Sequence, residues 1–243
     1  MNFLAVIPAR LSSTRLPRKV LREIAGRPMV VHVFNRARAC SLLTDVLVAT
    51  DSDEVVDVCH AHHVPAVMTS SAHPSGTDRI WEVSRARMAD VYVNIQGDEP
   101  LVTCGHIETL LGPFLTQPEV QVTTLKIRAT AEEAVSPTVN KVVTNTHGDA
   151  LYFSKHAIPF DRDRRGNVAY WKHVGLYAYR RAVLDVFHRL PPSPLERAEG
   201  LEQLRLLEEG IPIRVLETTE PTIGVDTEQD LQAVAALFPR RAR

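Results

Sequence analysis

Asn2-Phe3-Leu4-Ala5-Val6-Ile7 is a short apolar run, unbroken from Phe3 to Ile7, and Pro8-Ala9-Arg10-Leu11-Ser12-Ser13-Thr14-Arg15-Leu16-Pro17-Arg18-Lys19 follows it at once. A run that is apolar at every position, not at every second one, predicts a strand buried on both faces. Working outward, Pro28 opens a helical stretch to about Ala39, with proline suited to a first helical turn. Asp45 to Ala49 predicts a second strand, Ser52 to His62 a short helix, and Val64 to Met68 a third strand. Thr77 to Met88 predicts a helix and Val91 to Ile95 a fourth strand. Strands that alternate with helices imply βαβ units around a largely parallel sheet.

The second half reads differently. Val120 to Ile127, Lys141 to Thr144, Ala150 to Phe153 and His173 to Tyr179 are strand candidates that follow one another closely, as in an antiparallel extension of the sheet. Glu196 to Glu209 predicts a single helix ended by Gly210. Ile213 to Leu216 predicts a last strand, and Thr227 caps a closing helix to about Leu237. The tail Arg240 to Arg243 is expected to fray. The pattern as a whole predicts one α/β domain over residues 1–243, with a smaller inserted antiparallel lobe over about residues 125–191.

Composition narrows the class. Of 243 residues, 44% are hydrophobic and 23% charged, which is globular and excludes a disordered chain. No apolar run reaches the roughly 18 residues needed to span a bilayer. The opening run is a strand's length and meets Arg10 with no cleavage pattern, so a signal peptide is not expected. Lys and Arg total 28 against 29 Asp and Glu, a net charge of -1, which argues against a dedicated nucleic-acid binder. Cys40, Cys59 and Cys104 form no CxxC and read as reduced thiols of a cytoplasmic protein.

Against that balance, the loop after the first strand is a local anomaly: Arg10, Arg15, Arg18, Lys19 and Arg22 stand with no acid between Arg10 and Arg22. Ligands of open parallel sheets bind beyond the carboxyl ends of the strands. Cations, small hydroxyl residues and backbone donors placed there suit a triphosphate. The loop is neither GxxxxGK[ST] nor GxGxxG. Asn94-Ile95-Gln96-Gly97-Asp98-Glu99-Pro100 ends the fourth strand at the same edge, and Gly224-Val225-Asp226-Thr227 places another Asp before a helix. Asp98 and Asp226 are either turn and capping residues or the one or two carboxylates a Mg²⁺ ion on a triphosphate would take. His73-Pro74-Ser75-Gly76-Thr77-Asp78-Arg79 leads into a helix and can offer hydroxyls and N–H groups to a base edge or a phosphate. Three further strings, Ala150 to Pro159, Lys172 to Tyr177 and Leu201 to Arg205, carry no function by spacing alone. Glu202 and Gln203 also read as the polar face of a helix. No HExxH or GxSxG occurs, which speaks against a zinc hydrolase or a serine esterase.

Taken in order, IPARLSSTRLPRK, HPSGTDR, NIQGDEP, KVV, ALYFS, HVGLYAYR, SPLE, LEQLR and GVDT closely resemble the 3-deoxy-manno-octulosonate cytidylyltransferase (CMP-Kdo synthetase) family from Phe3 to Val234. The resemblance implies the Rossmann-like fold of the nucleotide-diphospho-sugar transferases, a mostly parallel sheet with a smaller antiparallel lobe, and a homodimer. It implies that CTP and Kdo give CMP-Kdo and pyrophosphate with Mg²⁺, in the cytoplasm, for lipopolysaccharide biosynthesis, with no nucleic acid or membrane as partner. Carried over by residue, Arg10, Ser13, Arg15 and Lys19 would hold the phosphates. Pro8, Ala9, Ser75, Arg79 and Gln96 would surround cytosine and ribose, and Asp98 and Asp226 would hold the metal. Tyr152, Ser154, Lys155, His173, Tyr177, Glu202 and Gln203 would line the sugar site. One departure stands out: the family's Arg after ALYFS is Lys155 here, and an Arg fork and a Lys point charge are not equivalent partners for a sugar carboxylate.

The implied reaction is an attack of the sugar's anomeric hydroxyl on the α-phosphorus of CTP, with Lys19, Arg10 and Arg15 stabilising phosphate charge. No covalent intermediate is needed. A CMP-sugar synthetase for an amino-substituted Kdo or another nonulosonic acid is the nearest alternative, although ALYFS and LEQLR disfavour the sialic acid type. A protein that binds CTP without turnover is an alternative of another class, disfavoured by Asp98, Asp226 and Lys19. In the dimer, the strands Ala150 to Phe153 and His173 to Tyr179 are expected to pair across a two-fold axis.

Overall fold

A computed structural model describes residues 1–13, 15–163, 166 and 168–238. Thr14 of the cationic loop and the tail Arg240 to Arg243 lie outside them. In chain order the chain begins with β1 (Phe3–Pro8), the hairpin β2 (Glu23–Ile24) and β3 (Arg27–Pro28), and α1 (Met29–Arg38). There follow β4 (Asp45–Thr50), α2 (Asp53–Ala61), β5 (Ala66–Met68), α3 (Gly76–Ala86), β6 (Val91–Asn94) and α4 (Cys104–Thr116). Next come β7 (Val122–Arg128), α5 (Ala131–Val135), β8 (Lys141–Thr144), β9 (Ala150–Ser154) and β10 (Trp171–Arg180). The chain continues through α6 (Arg181–Arg189), α7 (Pro194–Glu199), α8 (Leu204–Glu208), β11 (Arg214–Glu217) and α9 (Glu228–Ala236). Two compact units result: Met1–Glu108 with Pro221–Arg243, and Thr109–Glu220.

In the first unit β6, β1, β4 and β5 lie side by side, all parallel, with Phe3 opposite Val91, Leu4 opposite Asp45 and Val48 opposite Ala66. Every residue of β1 is buried, as its unbroken apolar pattern requires. α1 covers the sheet with Val30, Val31, Val33, Phe34 and Ala37, and Arg36 and Arg38 complement its C-terminal dipole. A second cluster joins Leu16 of the cationic loop to Ile24, Met29, Val225, Leu231 and Val234. That cluster ties both ends of the chain beneath the loop that carries the charges.

In the second unit β10 runs antiparallel to β7, and β8 pairs with β9 and, at Lys141, with β10. β11 returns parallel to β7, with Val215 opposite Thr124. The antiparallel strands appear where the apolar runs place them. The single helix expected over Glu196 to Glu209 does not: Gly200, at φ 63°, ends α7 in the left-handed conformation, and α8 starts afresh at Leu204. Leu201 and Leu204 turn inward across that break. α4, α5, α6 and the β2–β3 hairpin are additional to the expected elements.

Candidate active site

The carboxyl ends of β1 and β6 and the segment before α9 surround a cavity of about 250 Å³. Pro8, Arg10, Ser12, Ser13, Arg15, Lys19, Val20, Gln96, Gly97, Asp98 and Asp226 line it. Buried Leu16 and Val20 anchor the loop. Arg18 turns it through φ 56° into a 3₁₀ turn over Lys19–Leu21, which brings Lys19 to the cavity beside Arg10 and Arg15, while Arg18 pairs with Glu54 and Arg22 with Glu228 outside it.

Gly97 is required by close approach. Its N–H donates to Pro8 O at 3.2 Å, and a Cβ on it would stand 3.0 Å from the same oxygen. The two acidic segments are stitched together by Val225 N–H donating to Asp98 O at 2.9 Å. The Lys19 ammonium donates to Asp98 and, at 2.9 Å, to Asp226 Oδ1. Burial works against that charge, but Asp98 and then Asp226 outweigh it and hold the ammonium above the ordinary lysine range. Arg15 also reaches Asp226, at 3.0 Å across an exposed pair. Arg10 has no acidic partner among the described residues, so one cation of the cavity is left for an anion.

The base-side residues divide. Gln96 donates to Asn94 Oδ1 at 3.0 Å, which fixes its amide plane beside Pro8. A Cβ on Gly76 would lie 3.4 Å from both Gln96 Nε2 and the Pro8 ring, so the start of α3 packs on this wall. Ser75 caps α3 and spends its hydroxyl on Asp78, at 2.8 Å. Ala9 is buried, its N–H bonded to Ala49 O. Arg79 is only 4% exposed, with its guanidinium on Asp51 at 2.9 Å and on Thr69. Ser75, Ala9 and Arg79 are therefore not among the lining side chains.

The residues assigned to the sugar by resemblance form a second cluster, within the second unit. Glu199 at the end of α7 organises one side of it: Ser154 Oγ donates to it at 2.7 Å, Lys155 N–H at 3.0 Å and Tyr152 OH at 3.5 Å. Burial opposes the Glu199 charge, but these donors and the Lys155 charge hold its carboxyl below the usual range. Buried Lys141 donates to Ser136 O, Val139 O and, at 2.5 Å, Lys155 O. On β10, His173 Nε2 lies 3.0 Å from Thr124 Oγ1, whose own proton goes to Leu176 O at 2.8 Å. Nε2 is thus the donor. Complete burial takes the His173 imidazole down to about 3, so it is neutral at neutral pH. Tyr177 OH and Gln203 Nε2 are buried with no hydrogen-bond partner among the described residues. Glu202 lies close enough to raise the Tyr177 phenol further, after burial itself and Tyr179.

Four residues in these places were not singled out from sequence. Ser12 lay inside the quoted loop, and Asn94 inside NIQGDEP. Lys141 opens KVV. Glu199 had only its spacing of three from Glu196 and Glu202 to mark it.

The cytidylyltransferase family model matches residues 4–216. A 3-deoxy-manno-octulosonate cytidylyltransferase of Acidobacterium capsulatum is 54% identical over the whole of this chain and 99% of its own. Its counterpart from Koribacter versatilis is 54% identical over 98% of this chain and 90% of its own. A solved structure of a CMP:2-keto-3-deoxy-manno-octonic acid synthetase complexed with CTP superposes with a TM-score of 0.93 at 46% identity, covering 98% of each chain. A glucose-1-phosphate thymidylyltransferase of Bacillus anthracis shares the fold, with a TM-score of 0.69 at 18% identity over 99% of this chain and 96% of its own. Identity near one half along the full length, together with the cationic loop, the paired Asp98 and Asp226 and the Gln96 wall in one cavity, makes this chain a member of the 3-deoxy-manno-octulosonate cytidylyltransferase family.

Proposed function

We propose that this chain activates Kdo with CTP, giving CMP-Kdo and pyrophosphate, the activated sugar used for lipopolysaccharide biosynthesis. The observation that carries the reading is the arrangement at Lys19, a cation bracketed by Asp98 and Asp226 in a cavity rimmed by Arg10, Ser12, Ser13 and Arg15. Arg10, Ser13, Arg15 and Lys19 bind the phosphates as charge-assisted donors. Pro8, Ala9, Ser75, Arg79 and Gln96 shape the base and ribose side, Arg79 by holding Asp51 and Thr69 in place behind it.

Asp98 and Asp226 suit Mg²⁺. They are two hard oxygen donors already drawn onto one ammonium, with their backbones linked through Val225. When bound there, the ion neutralises phosphate charge and favours departure of pyrophosphate. The anomeric hydroxyl of the sugar attacks the α-phosphorus, and Lys19 with the two arginines stabilises the charge that builds on the phosphate oxygens. Tyr152, Ser154, Lys155, His173, Tyr177, Glu202 and Gln203 receive the sugar acid. The unpartnered Tyr177 OH and Gln203 Nε2 are donors that sugar hydroxyls or the carboxylate would satisfy.

Pyrophosphate release with CTP, Mg²⁺ and a panel of sugar acids tests the reading. Turnover with Kdo is expected. Tight CTP binding with no turnover on any acid would instead make the chain a CTP-binding protein. The working form is a cytoplasmic homodimer. One edge of β9 is taken by β8, the other has no strand partner among the described residues, and Leu151 on it is 62% exposed. Light scattering should give twice the 27.1 kDa chain mass, and a monomer at micromolar concentration would exclude that pairing.

A further inference from the structure

We propose that Cys40, Cys104 and Glu108 form a binding site for a thiophilic divalent cation of the Zn²⁺ class, separate from the nucleotide cavity. All three belong to the first unit, and none lines that cavity. Their ligand atoms lie within 4.8 Å of one another, with Cys104 Sγ 3.3 Å from Glu108 Oε1. Cys104 opens α4 and Glu108 follows one helical turn later, so both project from one face. Cys40 comes from the tight turn after α1, where its N–H bonds Ala37 O at 3.0 Å and its carbonyl accepts Leu43 N–H at 3.2 Å. Two elements far apart in sequence, the turn after α1 and the first turn of α4, are thus held with their ligands converging by backbone bonds that need no metal.

The donor set selects the ion. Two sulfurs and one carboxylate are what tetrahedral Zn²⁺ takes, and oxygen-seeking Mg²⁺ does not favour them. Zn–S bonds of about 2.3 Å put tetrahedral ligands about 3.8 Å apart, inside the observed spread. Cys40 is 1% exposed while Glu108 faces solvent, so the open side of the site can supply water as the fourth ligand. Binding releases the two thiol protons to solvent and leaves both sulfurs as thiolates. A Cys40–Cys104 disulfide is the rival use of the same pair, and it has no role for Glu108.

The test uses the full chain, reduced and stripped with chelator, without nucleotide. Cd²⁺ is the probe, because thiolate-to-cadmium charge transfer absorbs in the near ultraviolet and carboxylates give no such band. One Cd²⁺ per chain is expected with that band, displaced by added Zn²⁺. Cys104→Ser should abolish the band, and Glu108→Gln, at an exposed position that leaves the fold intact, should weaken binding at least tenfold. Cys59→Ser should change nothing. Absence of the band in the reduced wild-type chain would overturn the proposal. So would a band that survives Cys104→Ser, or affinity unchanged in Glu108→Gln. A chain that forms the Cys40–Cys104 disulfide in air and binds no Cd²⁺ when reduced would assign the pair to redox chemistry instead.

Discussion

The Lys19 ammonium sits 2.9 Å from Asp226 Oδ1, although 207 residues separate the two in sequence, and the same nitrogen also holds Asp98. Without ligand, Lys19 bridges two carboxylates that would otherwise repel each other in a partly buried cavity, and Arg15 supplies the second balancing charge. The charge balance of the site is therefore set before any nucleotide arrives. It also gives the two aspartates a role in stability besides their proposed role in metal binding.

Asp98→Ala and Asp226→Ala should each lower kcat by roughly 10²–10³-fold, the scale for removing one preorganised charge-stabilising group. Lys19→Met should cost turnover similarly and should also leave the two carboxylates without their cation. Its melting temperature without ligand should fall, and Mg²⁺ should raise it more than it raises that of the wild type. Calorimetric scans with and without Mg²⁺ check this; an equal Mg²⁺ response in both proteins would show that Lys19 and the ion do not share the carboxylates.

CTP should be used in preference to ATP and GTP, because Pro8, Gln96 and the start of α3, which we propose face the base, pack closely together. Gly97→Ala is the sharper probe. Its Cβ would meet Pro8 O at 3.0 Å, and that oxygen is backbone of β1 and cannot swing aside. The β1 end must shift, so the KM for CTP should rise about tenfold or more while the KM for the sugar stays near its wild-type value. Equal turnover of CTP and purine triphosphates at subsaturating concentration would remove the base-wall assignment.

In the parallel half β1 was legible because it is apolar from Phe3 to Pro8 and buried throughout, and β4 and β6 because nearly all their residues are buried; β5, only partly buried, was marked by its place in the alternation of strands and helices. α4 was hidden by Gly105, Gly112 and Pro113, poor helix formers that are overridden by burying Ile107, Leu110, Leu111 and Phe114. α6 carries an apolar face in Val183, Leu184 and Phe187 at helical spacing, a signal the sequence does hold. The Glu196 to Glu209 helix failed at Gly200, a residue tolerated inside helices yet here in the one conformation that stops them. At the site, Arg10, Arg15 and Lys19 were visible as unbalanced charge. Glu199 was not, because its partners on and just after β9 are 44 to 47 residues away and only the fold brings them together.

His173 gives a pH dependence of known sign. Its imidazole falls from an ordinary value near 6.5 when unfolded to about 3 in the buried site. Between those values the unfolded chain binds the extra proton, so stability rises with pH there and is lost as pH falls from about 6.5 toward 3. The contribution is about 1.4 kcal/mol per pH unit within the window. His173→Gln keeps a donor for Thr124 and removes the titration. The stability of the wild type relative to this variant should therefore climb between about pH 4 and 6 and level off above 6.5. Denaturant unfolding at several pH values reads it, and a constant difference would mean that His173 is solvated.

Lys155 carries the last prediction, because the resemblance implies an Arg where this chain has Lys. Its backbone is pinned from both sides: its N–H bonds Glu199 at 3.0 Å and its carbonyl accepts from Lys141 at 2.5 Å. The side chain is exposed and extends toward Gly200, where a Cβ would stand 3.5 Å from Nζ. A pinned backbone with an exposed ammonium is the arrangement expected of a residue that presents charge to a ligand. If that ligand is the sugar carboxylate, Lys155→Ala loses one charge-assisted hydrogen bond of roughly 1.5–3 kcal/mol, about a tenfold to hundredfold rise in the KM for Kdo. The dissociation constant for CTP should hardly move, since Lys155 is absent from the nucleotide cavity. Lys155→Arg introduces the residue that the resemblance implies and should keep most activity on ordinary Kdo. An unchanged KM for Kdo in Lys155→Ala would show that the ammonium only faces solvent. Loss of activity on the natural sugar in Lys155→Arg, with CTP binding intact, would point instead to a modified Kdo whose added group needs the smaller, rounder cation.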